Sequence, residues 1–146
     1  MSYGAFILQS GEIELTVPTQ LLWRQVHPNW YLNGRVLGIS FRPTPKDEMK
    51  LSTRTDGITA KEAYLEHTED LGLKSSGTWA ISVGEVIDLL LRAIDDSTLT
   101  GRPKSHAFVD FRGAERKAVE IAARILADRA NERGCVYRPL ADDPPD

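Results

Sequence analysis

Prolines and glycines divide the first half of the chain into short segments, and this feature limits the fold more than any other. Pro18 and Pro28 each end an apolar run, because proline cannot donate to a sheet ladder and holds the preceding residue out of the helical region. Residues 20–27 (QLLWRQVH) fit a short helix or a strand, and the flanking prolines favour a strand. Asn33-Gly34 is a strong hairpin signal, and RVLGISF after it predicts a further strand.

Other strand signals are equally short. Residues 5–17 contain two apolar runs around Ser10-Gly11, which predicts a β-hairpin. Leu51-Ser52-Thr53 and the run TWAIS are strand-like, and HAFVDF (106–111) has its apolar residues on one face. The chain therefore supplies several short strands.

Helix starts are marked by capping boxes. Thr59 with Glu62 begins a helix that should end at Gly72, and Ser82 with Glu85 begins a second helix leading into VIDLLLRAI. The longest helix is predicted over 114–133. Its stripe at helical spacing consists of Ala118, Ile121, Ala122, Ile125, Leu126 and Arg129.

These elements predict an α+β domain: a mixed, mostly antiparallel sheet with about three helices, the longest near the C-terminus. The 146 residues suit one domain, which we expect to span 1–138. Residues 139–146 are acidic and proline-rich, so we expect a disordered tail.

Composition narrows the classes of function. With 18 Lys and Arg against 21 Asp and Glu, a nucleic-acid partner is not favoured. No apolar run is long enough to span a bilayer, and the N-terminus lacks the pattern of a signal peptide. The single cysteine, Cys135, excludes an internal disulfide and a cysteine-rich zinc site, and no metal site is expected. A cytoplasmic protein is the natural expectation.

Four residues are candidates for catalysis: Arg24, His27, Ser52 and His106. Arginine recognises carboxylate or phosphate with two parallel hydrogen bonds, and histidine acts as acid, base or donor near neutral pH. All four fall at predicted strand ends or turns, where functional groups are often presented. The alternative is that each histidine is hydrogen-bonded at a strand end and has no chemical role.

A charged bend supplies the candidate binding residues Arg42, Lys46, Asp47 and Glu48. Pro43 and Pro45 stiffen this bend at little entropic cost. A preorganised surface loses less freedom on binding, which favours a docking site for a protein partner. A solvated connection between two strands is the other interpretation.

The spaced pattern LLWRQVHP, FRPTPKDEMKLS, GTWAISVGEV and PKSHAFVDF resembles a set of small uncharacterised bacterial proteins over roughly residues 21–137. Within it, LLWR, KLSTRT and ITAKEAYLEH resemble the opening of ADP-ribosyltransferase-type toxin domains. The resemblance implies that Arg24 contacts the phosphates of NAD and that Ser52 contacts its ribose or nicotinamide end. The late strand glutamate of those domains has no clear counterpart, and HAFVDF offers Asp110 instead.

Two functions from different classes follow. The first is a non-catalytic bacterial interaction protein that binds a protein partner and uses no cofactor, such as an immunity protein, an antitoxin or an accessory component of a conflict or defence system. Small size, acidity and the lack of a complete catalytic motif favour it. The alternative is an NAD-using ADP-ribosyltransferase-like enzyme or toxin domain, favoured by Arg24, Ser52 and the histidines.

Overall fold

A six-stranded sheet forms the centre of the protein, in a computed structural model that describes residues 6–139. The strand order is β1-β7-β8-β5-β2-β6, and a separate hairpin pairs β3 with β4. The strands are β1 Ile13–Glu14, β2 Leu21–Gln25, β3 Tyr31–Leu32, β4 Arg35–Val36, β5 Lys50–Thr55, β6 Thr78–Ser82, β7 Arg92–Asp95 and β8 His106–Asp110. The helices are α1 Ala60–Leu65, α2 Val83–Asp88 and α3 Arg116–Arg133.

The predicted α+β class is confirmed. Every pairing between the described strands is antiparallel, and the longest helix is the C-terminal α3. Within residues 6–139, no helix combines the length and apolarity needed to cross a membrane. The predicted tail lies outside the described residues apart from residue 139.

One face of the sheet packs against α3, and this layer is the main core. Ala122 and Leu126 are buried in it as predicted, but the prediction was wrong for Ile121, which is 41% exposed. The buried face of α3 is rotated around the helix axis relative to the predicted stripe, and most of its residues are small. Alanines at these positions let the helix pack closely against its neighbours. These residues are Val119, Ala123, Ala127 and Ala130.

The opposite face carries α1. Both predicted capping boxes are present, with Thr59 bonded reciprocally to Glu62 and Ser82 to Glu85. The α1 helix continues as a π-helical segment over Glu66–Asp70 and ends near Gly72, whose φ of 66° places it in the left-handed region as expected of a glycine after a helix.

Strand β2 leaves β5 early. The two strands pair only at Leu22–Thr55 and Trp23–Arg54, whereas β5 pairs with β8 along Lys50–Arg54. Among the described residues, the first half of β5 therefore has no strand partner on its β2 side, and the clefts described below include residues of this half.

Two predicted strands in the first half were wrong. Residues 6–9 form no strand; the turn at Gly11 exists, but β1 pairs with β7 and no hairpin forms over the described part of 5–17. The Asn33-Gly34 hairpin is confirmed, yet only Arg35–Val36 of the run after it is a strand, and Gly38–Phe41 forms a 3-10 helix. At Gly38–Phe41, the backbone N–H groups of Ser40 and Arg42 donate to the nearby carbonyls of Leu37 and Ile39 instead of to a neighbouring strand.

The second helix is also shorter than predicted. It ends at Asp88, because Leu90 adopts a left-handed conformation with φ of 62°, and the chain then enters β7. Leu91 N–H donates back to Val86 and closes the turn. The run VIDLLLRAI is therefore a helix end, a turn and a strand.

Candidate active site

Three neighbouring strands place Ser52, His106 and Asp96 on one face of the sheet. Ser52 is opposite Phe108 in the β5–β8 register, so His106 is its diagonal neighbour two residues along β8. Asp96 directly follows β7, whose last pair is Asp95–Ala107. Antiparallel pairing thus aligns a hydroxyl, an imidazole and a carboxylate across β5, β8 and the end of β7.

The three side chains form a continuous hydrogen-bond chain. Ser52 Oγ lies 2.8 Å from His106 Nε2, and His106 Nδ1 lies 2.6 Å from Asp96 Oδ1. With the Asp96 carboxylate accepting from Nδ1–H, Nε2 is left to accept the hydroxyl proton of Ser52. Ser52 is exposed, the His106 side chain is 12% exposed and Asp96 is 1% exposed, so the chain runs from solvent to the interior.

The loop that follows Asp96 is held by local bonds. The Ser97 backbone N–H and hydroxyl both donate to Asp95, and Leu99 N–H donates to the Asp96 carbonyl. Arg102 Nε lies 3.1 Å from Asp96 Oδ2, an ion pair without the alignment of a hydrogen bond. The orientation of Asp96 is therefore set by the fold before any ligand arrives.

Three clefts meet at Ser52. The polar cleft, about 320 Å³, is lined by Lys46, Asp47, Glu48, Lys50, Ser52, Asp96, Arg102, His106 and Phe108. The apolar cleft, about 290 Å³, contains Trp23, Ala63, Leu71, Leu73 and Pro103 together with Ser52 and His106. The third cleft, about 400 Å³, lies toward Arg24, Trp30 and Arg42. Ser52 is therefore part of the lining of all three clefts.

The Arg24 side chain contacts the backbone of Ser52. Its Nη1 donates to the Ser52 carbonyl at 3.0 Å and its Nε to the Ser40 carbonyl at 2.8 Å, which fills the gap where β2 leaves β5. Burial lowers the pKa of Arg24 to about 10, and the charge of Asp47 opposes this shift. The guanidinium therefore stays charged at neutral pH.

His27 is placed differently from the other candidates. Its Nδ1 accepts from the Asn29 N–H at 3.0 Å and caps a short 3-10 helix, and its ring lies 5.6 Å from that of Trp30. His27 lines neither of the two clefts that contain His106. The chain's own turn accounts for its position.

The charged bend lies beside the same site. Residues 44–48 are exposed and ordered into a 3-10 helix at Pro45–Asp47, which Thr44 caps. Lys46, Asp47 and Glu48 border the polar cleft, while Arg42 borders the third cleft. The bend is thus a cleft margin; whether a protein partner docks there stays a prediction.

Asp96 and His67 were missed by sequence reasoning. Asp96 was missed because VIDLLLRAI was interpreted as part of a helix, so no strand was expected to end just before Asp96. A carboxylate just after a short apolar run was the available signal. His67 lines the apolar cleft, where burial lowers its pKa, as do the charges of Arg24 and Arg54.

Neither a metal site nor a similar protein adds to the assignment. The described residues contain no group of three or more His, Cys, Asp or Glu side chains able to hold a metal ion. Comparisons with protein-family models, with curated proteins and with solved structures find no match.

Proposed function

We propose that the protein is a serine-dependent hydrolase of ester substrates, with Ser52 as nucleophile, His106 as general base and acid, and Asp96 as the carboxylate that orients the imidazole. The observation that carries this proposal is the Ser52–His106–Asp96 hydrogen-bond chain, with distances of 2.8 and 2.6 Å. The same constellation performs acyl transfer on unrelated folds and in different chain orders, so its geometry supports the assignment more than any sequence motif.

The first half-reaction acylates the serine. Ser52 Oγ attacks the carbonyl carbon of the ester and forms a C–O bond, while its proton passes to His106 Nε2. Asp96 holds Nδ1–H and stabilises the resulting imidazolium. The tetrahedral oxyanion then collapses, the bond to the leaving oxygen breaks, and His106 returns the proton to the departing alcohol.

The second half-reaction uses water. A water molecule gives a proton to His106 Nε2 and attacks the acyl carbon. The bond to Ser52 Oγ then breaks, and the serine recovers its proton from His106. The products are a carboxylic acid and the free enzyme, so no oxidant, metal or cofactor enters the balance.

Lys50 supplies positive charge beside the serine. It lies two residues before Ser52 on the same face of β5, and its ammonium is 5.1 Å from the centre of the Phe108 ring opposite Ser52. We assign it to stabilisation of the oxyanion. Lys50→Met should lower kcat by about 10²-fold, whereas Lys61→Met, at an exposed lysine of α1, should not; equal rates in both variants would remove Lys50 from the mechanism.

The proposal is tested by covalent labelling. A fluorophosphonate probe should phosphonylate Ser52 with loss of fluoride, and peptide mass spectrometry should locate the adduct. Ser52→Ala should abolish both the adduct and hydrolysis of 4-nitrophenyl butyrate. Ser10→Ala, at an exposed serine of a turn, is the matched control and should retain both. A wild-type protein that remains unlabelled and inactive toward esters would overturn the proposal.

NAD-dependent transfer is the second candidate, because the Arg24 side chain contacts Ser52 and both residues line the third cleft. That contact joins the two residues that the ADP-ribosyltransferase resemblance names. Incubation with NAD should then release nicotinamide, and Arg24→Lys should reduce the release without affecting fluorophosphonate labelling of Ser52. The absence of nicotinamide release from folded wild-type protein would remove this candidate.

The interaction function stays a prediction, as do its protein partner, its place in a bacterial conflict system and a cytoplasmic location. The ordered, exposed bend at 44–48 is compatible with docking. Because that bend also borders the polar cleft, a partner bound there would cover Ser52 and should slow fluorophosphonate labelling.

A further inference from the structure

The apolar cleft is lined by apolar side chains next to the proposed nucleophile, Ser52. Leu71 and Leu73 are 58% and 50% exposed, and both line this cleft together with Trp23 and Ala63. Single exposed leucines are common on protein surfaces, but a concave apolar surface beside reactive groups is typical of a ligand site. Both leucines follow the π-helical segment and line the same cleft as Ser52 and His106.

The charged side chains in the apolar cleft are occupied by internal partners. Arg54 pairs with Glu66 and donates to the Lys104 carbonyl at 3.0 Å. Arg24 donates to two backbone carbonyls, of Ser40 and Ser52. These bonds direct both guanidinium groups into the protein, so the cleft presents mainly its hydrocarbon surface to a ligand.

The polar cleft differs in its chemistry although it shares the same reactive groups. Lys50 Nζ lies 3.2 Å from Glu48 Oε2, and Arg102 Nε lies 3.1 Å from Asp96 Oδ2, so cations and anions are paired within it. Such a surface suits a polar group that both donates and accepts hydrogen bonds, because it offers donors and acceptors side by side.

We propose that the substrate is an ester with one apolar arm of several carbons, bound in the apolar cleft, and one polar arm bound in the polar cleft. This inference rests on the proposed hydrolase function. Ser52 and His106 line both clefts, so an ester carbonyl at Ser52 Oγ extends one arm into each. The apolar arm is either the acyl chain or the alcohol chain, and both have the same chemistry in the cleft.

A chain-length series tests the inference and distinguishes the two arms. One set varies the acyl chain of 4-nitrophenyl esters from acetate through butyrate and hexanoate to octanoate; the other varies the alkyl alcohol of acetate esters. Each added methylene that enters the cleft should raise kcat/KM by about fourfold in one of the two sets. Hydrolysis with no dependence on chain length in either set would overturn the inference while leaving the hydrolase proposal intact.

Matched variants connect the preference to the cleft. Leu71→Ser and Leu73→Ser should lower the ratio of kcat/KM for the long ester to that for the short ester. Leu32→Ser is the control, because Leu32 is the same residue type with 59% exposure but lies on the β3–β4 hairpin, outside the apolar cleft. Equal ratios in all three variants would contradict the proposed site.

A binding experiment gives a readout independent of turnover. Hexanamide, which carries the apolar arm without a reactive ester, is titrated into wild-type protein with labelled leucine methyl groups. The Leu71 and Leu73 resonances should shift saturably, and the Leu32 resonance should stay constant. Shifts without ester hydrolysis would support the apolar site while the hydrolase proposal fails; no shift at either leucine would overturn the inference.

Discussion

Two buried aspartates lie on the same face of the sheet, at opposite ends of the β7–β8 pair. Asp110 is opposite Arg92 in the register, and Asp96 follows β7 at the other end, beside His106. Both are 1% exposed. The Asp110 carboxylate is hydrogen-bonded by arginines. The Asp96 carboxylate is hydrogen-bonded to the His106 imidazole, which in turn is hydrogen-bonded to the exposed Ser52 hydroxyl.

At the Asp110 end, hydrogen bonds satisfy both carboxylate oxygens. Arg112 donates from its backbone N–H and from Nε to Oδ1, at 3.0 and 2.8 Å. Oδ2 accepts from Arg92 at 2.6 Å and from Arg112 Nη2 at 3.0 Å. Burial alone would raise the pKa of Asp110, but the hydrogen bonds from Arg112 and Arg92 outweigh it and the pKa is lowered. The hydrogen bond to Asp110 also raises the pKa of Arg112.

At the Asp96 end, the oxygens are used unequally. Oδ1 bonds His106, while Oδ2 has only the unaligned ion pair with Arg102 among the described residues. Equal burial therefore does not define function. A carboxylate whose oxygens are bonded by arginines stabilises the fold, whereas the proposed hydrolase function uses the carboxylate that orients a histidine toward an exposed serine.

The largest expected effect is a loss of kcat when Asp96, but not Asp110, is replaced by asparagine. Asp96→Asn should lower kcat for ester hydrolysis by about 10⁴-fold, because the amide no longer holds His106 in the required tautomer. Asp110→Asn is the matched change at the other end and should leave kcat per folded molecule within a few-fold. Ester-hydrolysis assays measure kcat for both variants, and circular dichroism checks that each variant is folded. Equal losses would show that the two aspartates have the same role.

Stability should reverse the order of the two variants. Asp110→Asn removes the charge that neutralises two partly buried arginines and should lower the free energy of unfolding by roughly 3–5 kcal/mol. Asp96→Asn should lower it less, because the Arg102 side chain is 41% exposed and can be solvated. Urea titration gives the values, with exposed Asp88→Asn as the control, expected within about 0.5 kcal/mol of wild type.

Acid should affect stability through Asp110. Because its pKa is lowered on folding, the unfolded chain binds more protons at acidic pH, so the stabilisation is present above the ordinary carboxyl pKa and is lost as pH falls through the folded value. The free energy of unfolding should therefore decline below about pH 4 more steeply in wild type than in Asp110→Asn. Parallel curves for the two proteins would contradict the lowered pKa.

The smallest effect is expected at the exposed bend. Lys46→Glu should change the free energy of unfolding by no more than about 0.5 kcal/mol, because Lys46 is exposed and lies in a short 3-10 helix. Urea titration measures this change. A larger loss would show that the bend belongs to the packed structure, as Asp110 does.

The sequence predicted the fold class and the helix starts, but it did not predict how the strands pair. Ser52 and His106 were chosen because they fall at strand-like pieces and turns, and the structure brings them together. Their partner Asp96 was missed because local patterns do not reveal that Leu90 turns the chain into a strand. His27 was chosen for its proline neighbour, a local signal that a cap explains fully. Strand register depends on contacts between distant residues, which propensities do not contain.

The alignment of Ser52, His106 and Asp96 across adjoining strands also has a consequence for folding. Shifting β8 by one residue would turn His106 to the face that packs against α3, since alternate side chains point to opposite faces. The hydroxyl, imidazole and carboxylate meet only when both pairings of β8 are in register. Labelling of Ser52 would then count correctly paired molecules, so specific activity after refolding would report the fidelity of strand pairing.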